Sequence, residues 1–350
     1  MIDSGPALPY CDSVMRMLVT GGAGFIGSHV ADALLEMGHD VVVLDDLSGG
    51  RREQVPAAAA FVEGDIGDAA LVNALFAEHR FDVVYHLAAY AAEGLSHFIR
   101  RFNYANNVLG SVTLVDAAVN HGTKRFVFTS SIAVYGAGQV PMTEEQTPLP
   151  EDPYGIAKLA VERDLEAAHR MFGLEYVVFR PHNVYGERQN VADPYRNVVG
   201  IFMRAALEHR PMPVFGDGGQ TRAFSYIGDV APVIARGGVE PGARNGIFNV
   251  GADTPVSVRE IAERISELFG IPCRLDEQPA RNEVKHAFSS HEKAARVFGT
   301  PAATPLADGL ARMAAWVRSE PLRDPTPFGP IEILRELPPM WARLSGARNA

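Results

Sequence analysis

The stretch MLVTGGAGFIGSHV, from Met17 to Val30, is the most restrictive feature of this chain. A short apolar run passes into an amphipathic segment through closely spaced glycines. Gly22, Gly24 and Gly27 fit G-x-G-x-x-G, and Gly21, Gly24 and Gly27 fit the wider G-x-x-G-x-x-G. Without side chains the backbone can turn tightly and approach a pyrophosphate, which then rests on the N-terminus of the following helix. Ile26, Val30, Leu34 and Met37 fall on one helical stripe, and Gly38 supplies a stop. A strand, a glycine turn and a helix in this order belong to a βαβ unit.

Asp45 ends the run VVVLD, 23 residues after Gly22. A carboxylate at this point binds adenosine ribose hydroxyls and repels a 2′-phosphate, favouring NAD over NADP. The plainer reading of Asp45 is a turn residue before Ser48-Gly49-Gly50. Five more short apolar runs, VVVLD, FVEGD, DVVYHLAA, RFVFTSS and YVVFR, are separated by helix-length segments. The alternation predicts an α/β fold, a Rossmann-type doubly wound parallel sheet with a smaller C-terminal substrate-binding region.

Residues 1–14 read as a disordered leader and 15–185 as the NAD-binding domain, with segments around 224–250 returning to it. Residues 186–320, rich in Pro, Gly and Asn loops, read mainly as the substrate-binding region, and 321–350 as a Pro-interrupted tail. With 47% hydrophobic and 21% charged residues, composition is that of a globular protein. A net charge of −10 argues against nucleic-acid partners. No run reaches the ~18 apolar residues of a membrane span, and the start lacks the pattern of a signal peptide. Cys11 and Cys273 lie far apart, so neither a disulfide framework nor a metal site is expected, and the cytoplasm is the expected compartment.

Chemistry concentrates in two places. TSSIAVYG, Thr129 to Gly136, sets hydroxyls at the carboxyl end of an apolar run. DPYGIAKLAVERDLEAAHRMFG reads as a helix on which Tyr154 and Lys158, four apart, share a face. Val161, Leu165, Ala168 and Phe172 continue that face as an apolar stripe, so it is expected to be buried. A phenol beside an ammonium and an oxidised nicotinamide has its pKa lowered, and becomes a usable base. The plainer reading is a core tyrosine and a snorkelling lysine.

Nine motifs in order, over about residues 16 to 300, resemble the extended short-chain dehydrogenase/reductase family, most closely its NDP-sugar epimerases of the UDP-glucose 4-epimerase type. They are TGGAGFIGSH, VVVLDDLSGG, EGDIGD, HLAA, TSSIAVYG, YGIAK, RPHNVYG, PVFGDGGQTRAFSYIGDV and RNEVKHAF. The resemblance implies that Tyr154, activated by Lys158 and assisted by Ser131, removes the proton from a sugar O4 while C4 gives hydride to NAD. The 4-keto sugar then rotates and receives hydride on its other face. Related 4,6-dehydratases carry an Asp-Glu pair after the catalytic hydroxyl, and UDP-glucuronate decarboxylases a Glu in this turn. Here Ile132 and Ala133 stand instead, which argues for simple oxidation and re-reduction at C4. A dehydratase or reductase, or a non-catalytic NAD-binding sensor, are the alternatives.

The resemblance further implies cofactor contacts from Gly21, Gly24, Phe25, Ile26, Gly27, Asp45, Asp65, Ile66, Ala88 and Asn106, besides Tyr154 and Lys158. It implies substrate contacts from Ser131, Tyr154, Asn183, Phe215, Arg222 and Arg281, the two arginines clamping a diphosphate. A homodimer is the family's common state. Ala223 stands where the family usually has Asp, and Ala91 where glucose epimerases often have Lys. The sugar stays open between UDP-glucose, UDP-N-acetylglucosamine and UDP-glucuronate. Ala287 falls where a bulky residue excludes N-acetyl groups in some relatives, and Arg188 or Arg196 could meet a C6 carboxylate. One such contact is worth about 1.5–3 kcal/mol. Arg100 and Arg101 are further candidates, and a solvated or phosphate-facing role is the alternative for all four.

Overall fold

In the computed structural model, which describes residues 13–280, 284–299, 303–321, 323–324 and 328–345, six apolar runs and a later seventh form one sheet. The strands are β1 (Arg16–Thr20), β2 (Asp40–Asp45), β3 (Ala60–Glu63), β4 (Val83–His86), β5 (Arg125–Thr129), β6 (Glu175–Pro181) and β7 (Gly246–Val250). Their order is β7-β6-β5-β4-β1-β2-β3, and every pair is parallel. Successive side chains point to opposite faces, so both faces need cover. Val19, Val43, Val127 and Val177 pack under α1 (Phe25–Glu36) and α5 (Ile227–Gly237). Leu18, Val42, Phe126 and Val178 pack under α2 (Ala69–His79), α3 (Gly110–Asn120) and α4 (Pro153–Phe172).

Local chemistry sets the helix that carries Tyr154. Asp152 caps α4, its carboxylate accepting from the Gly155 N–H at 2.9 Å, and Pro153 occupies the first turn. Gly173, at φ +77°, ends the helix in the left-handed region. Val161, Leu165 and Ala168 are buried as expected, but Phe172 is not: it is 63% exposed. It lies on the same face as Tyr154, one turn past Ala168, where it shares a shallow groove with Val115 and Val119 of α3 instead of packing into the core.

A second group of elements holds the helices Val198–Leu207, Val258–Phe269 and Leu306–Ser319. Strand Met212–Phe215 pairs with Leu275–Gln278, and Thr221–Ala223 lies between Pro255–Ser257 and His286–Ala287. Between this group and the carboxyl ends of the sheet strands lies the main cavity, about 480 Å³. Of the leader, residues 1–12 lie outside the described residues. No helix among the described residues is long and apolar enough to cross a membrane.

Candidate active site

The sheet order reverses between β1 and β4, whose neighbours run outward in opposite directions. Such a reversal opens a crevice at the carboxyl ends of parallel strands, and the cavity begins there. Gly21, at φ +72°, sits so close to the end of β4 that a Cβ on it would lie 2.6 Å from the Ala88 nitrogen. A Cβ on Gly27 would lie 2.1 Å from the Gly21 carbonyl oxygen. The turn therefore closes only with glycine, and Gly21, Gly24, Phe25, Ile26 and Gly27 all line the cavity.

Asp45, ending β2, lines the same region. Its carboxylate accepts from the N–H groups of Ala23 at 3.0 Å and Leu47 at 2.8 Å, so it also braces the glycine turn. Burial is the largest influence on this carboxyl and raises its pKa. Asp65 and Ile66 follow β3, Ala88 follows β4, and Asn106 lies in a π-helical turn before α3; each lines the cavity. The residues thus fit a dinucleotide: a side-chain-free cradle at the pyrophosphate position and an acid where ribose hydroxyls would lie.

Tyr154 and Lys158 face the cavity from the first turns of α4, opposite Ser131 at the end of β5. Lys158 Nζ donates to the Thr129 carbonyl at 2.8 Å and lies 5.8 Å from the Tyr154 ring. Burial pulls the Lys158 pKa down to about 7, with Glu162 acting in the opposite direction. The lowering expected for Tyr154 is outweighed in this geometry: burial raises the phenol above its ordinary value, and the hydrogen bond with Ser131 acts against it. Ile132 and Ala133 form a 3₁₀ turn after Ser131 and border the cavity with apolar surface.

On the opposite wall stand Asn183, Phe215, Arg222 and Ala287. Asn183 holds φ +42°, with its carbonyl accepting from the Ser225 N–H; asparagine tolerates this left-handed conformation better than most residues. Arg222 donates to the carbonyls of Thr221, Lys285 and Val284 at 2.9, 3.0 and 2.6 Å, fixing its guanidinium at the cavity edge. Arg196 also borders the cavity, over the Tyr90 ring at 4.8 Å and paired with Asp193 at 2.8 Å. Arg188 does not reach it. Its guanidinium pairs with Asp32 of α1 at 2.5 Å, because a left-handed backbone at φ +66° turns it toward the helix. Arg281 lies outside the described residues.

Sequence reasoning missed a polar frame behind these groups. Glu162, one turn beyond Lys158, accepts from Ser130 Oγ at 2.5 Å and from Arg180 Nε and Nη2 at 3.0 and 2.5 Å. An acid on an otherwise apolar stripe was the available signal. His86, ending β4, lies between Thr20 and Ser111, each 2.8 Å away. The Ser111 hydroxyl donates to the Asn107 carbonyl, so it accepts from His86 Nε2–H, and Nδ1 accepts from Thr20. Burial, aided by the charge of Lys158, keeps this imidazole neutral by pushing its pKa down to about 3.

The family model of the NAD-dependent epimerase/dehydratase family matches residues 17–251. A UDP-glucose 4-epimerase of Mycolicibacterium smegmatis is 37% identical over 87% of this chain and 99% of its own. Among solved structures, UDP-glucose 4-epimerase of Thermotoga maritima with UDP-glucose superposes with a TM-score of 0.83 at 34% identity. It covers 87% of this chain and 99% of that one. UDP-glucuronic acid 4-epimerase of Bacillus cereus, in complex with UDP-glucuronic acid and NAD, gives a TM-score of 0.78 at 28% identity over the same shares.

Proposed function

Because this chain belongs to the NAD-dependent epimerase/dehydratase family, we propose that it interconverts the C4 epimers of a UDP-sugar. The observation that carries this reading is the meeting of Ser131, Tyr154 and Lys158 in the cavity that the glycine turn opens, beside the apolar pair Ile132 and Ala133.

NAD, when bound, supplies the hydride acceptor and donor at C4 and a positive charge beside the phenol. The residues Gly21, Gly24, Gly27 and Asp45 would hold it, with Asp65, Ile66, Ala88 and Asn106 along its length. Tyr154 takes the proton from the sugar O4 and returns it after the sugar has turned. Lys158, held by the Thr129 carbonyl, presents its charge to the phenol and favours the phenolate. Ser131 hydrogen-bonds the phenol and orients it. Asn183, Phe215 and Arg222 would bind the UDP moiety, and Arg281 is carried over to the diphosphate by resemblance alone.

Ile132 and Ala133 can neither remove a C5 proton nor assist loss of a C6 hydroxyl, which speaks against a dehydratase. Retention of Tyr154, Lys158 and Ser131 speaks against a non-catalytic sensor. Residues 15–185 with 224–250 serve the cofactor, and 186–320 mainly the substrate. A homodimer is supported by the apolar residues Leu109, Ile156, Met171 and Phe172, exposed near or on α3 and α4, and the cytoplasm by the cysteine usage.

Two side chains at the cavity bear on which sugar is used, and they point to different ones. Ala287 leaves room for an N-acetyl group, and Arg196 offers a partner for a C6 carboxylate. Incubating the purified protein separately with UDP-glucose, UDP-N-acetylglucosamine and UDP-glucuronate, and separating the epimers by chromatography, tests the reading. Formation of one 4-epimer identifies the sugar. Absence of epimer from all three sinks it.

A further inference from the structure

The segment after the helix Leu306–Ser319 lies beyond the region that the family model matches, which ends at residue 251. Relatives covered over 99% of their own length match only 87% of this chain, so the chain carries sequence that they lack. The described residues of this segment are tied down at several points. Glu320 pairs with Arg51 at 2.9 Å and Arg323 with Glu53 at 2.6 Å. Phe328 packs on Tyr90 and Phe102, with ring centroids 4.9 and 4.8 Å apart.

Glu332 then latches the strap to the segment that follows β4. Its carboxylate accepts from the N–H groups of Arg101 and Phe102 at 2.7 and 2.8 Å, capping the short helix Arg100–Tyr104 from a distance in sequence. The Phe98 carbonyl accepts from the N–H groups of Glu332 and Ile333 at 2.9 and 3.1 Å. Finally the helix Pro339–Ser345 buries Trp341 among Leu95, Ile99 and Tyr195. The Trp341 ring meets Phe98 at 6.0 Å on one lip of the cleft, and Tyr195 and Phe215 at 5.6 and 6.2 Å on the other. Met340 and Trp341 border the cavity itself.

We propose that residues 328–345 form an added wall of the nucleotide-sugar half of the cavity, with Trp341 as a positioning residue that holds Phe215 and Tyr195 at the substrate. The inference rests on the UDP-sugar reading for the identity of the ligand. The Trp341 ring is only 2% exposed, so it acts through the rings it packs against: Phe215 and Tyr195 are ordered before the ligand arrives, and binding does not bear that ordering cost. Residues 328–345 contact Tyr90, Phe98, Arg101, Phe102, Tyr195 and Phe215, and cofactor retention should not depend on them.

The test uses full-length holoenzyme, titrated calorimetrically with UDP and with UDP-glucose. Trp341→Ala should weaken both by about tenfold, the worth of one well-packed aromatic contact, with bound NAD per chain unchanged. Glu332→Ala, a change at an exposed side chain, should weaken them in the same direction by loosening the latch, and in turnover should raise KM more than it lowers kcat. Wild-type affinity in both variants overturns the wall, as does a matching loss of NAD. A wild-type protein that binds UDP but epimerises no sugar sinks the proposed reaction and leaves the wall to be read from UDP affinity.

Discussion

Glu162 on α4 and Arg180 on β6 are joined by two charge-assisted hydrogen bonds, at 3.0 and 2.5 Å, with 1% and 2% of their side chains accessible. The same carboxylate accepts from Ser130, next to Ser131, and Arg180 lies over the Tyr135 ring at 4.7 Å. The pair locks the helix that carries Tyr154 and Lys158 onto the strand that leads to Asn183. Removing one partner leaves a buried charge uncompensated. Glu162→Ala should cost about 3–5 kcal/mol in unfolding free energy by urea titration; a loss under 1 kcal/mol would mean that water reaches Arg180 instead.

The glycine turn can be tested against a glycine with open surroundings. Gly27→Ala sets a Cβ 2.1 Å from the Gly21 carbonyl oxygen, so the turn must open and NAD content should fall towards zero. Gly38→Ala, at φ +84° but with open space around the new Cβ, should cost only about 1–2 kcal/mol of backbone strain and keep its cofactor. The bound nucleotide released on heating measures both.

Tyr154→Phe deletes the phenolic oxygen and keeps the ring that packs at 7% exposure. Turnover should drop by about 10²–10⁴, the usual worth of a positioned proton-transfer group, with NAD still bound. Undiminished epimerisation would remove Tyr154 from the mechanism.

Burial lowers Lys158 from its ordinary 10.5 to about 7. Between these values the unfolded chain holds a proton that the folded chain lacks, so this group makes stability rise with pH, by up to about 1.4 kcal/mol per unit. Below pH 7 the cost of burying the charged lysine is present in full. Lys158→Met should therefore be more stable than the wild type at pH 7 in cofactor-free protein, and the advantage should shrink through pH 8 and 9. Unfolding free energies at these three pH values decide it, and a constant difference would place the titration elsewhere.

Ala287 borders the cavity and is 8% exposed. Ala287→Tyr should close the space proposed for an N-acetyl group. If the wild type accepts both sugars, kcat/KM for UDP-N-acetylglucosamine should fall at least tenfold against that for UDP-glucose, since buried volume gives a pocket little room to yield. Equal ratios before and after would show that the group lies elsewhere.

The glycine turn, the alternation of strands and helices, and the four-residue spacing of Tyr154 and Lys158 were legible because each is a local pattern. Backbone sterics and helical periodicity act within a few residues, so a chain with these residues in this order forms these elements with these faces. Which distant groups meet was decided by packing. Arg188 and Arg196 stand eight residues apart in one loop, yet one pairs with Asp32 on α1 and the other lies over Tyr90 at the cavity. Phe172 kept its place on the α4 stripe but stands exposed in a groove beside α3, which the stripe alone does not reveal. The partnership of Glu162 with Arg180, and the return of Trp341 to Phe215 across the cleft, join residues with no periodic relation in sequence. Such pairings exist only once the sheet has set the distances, and burial then makes each of them costly to break.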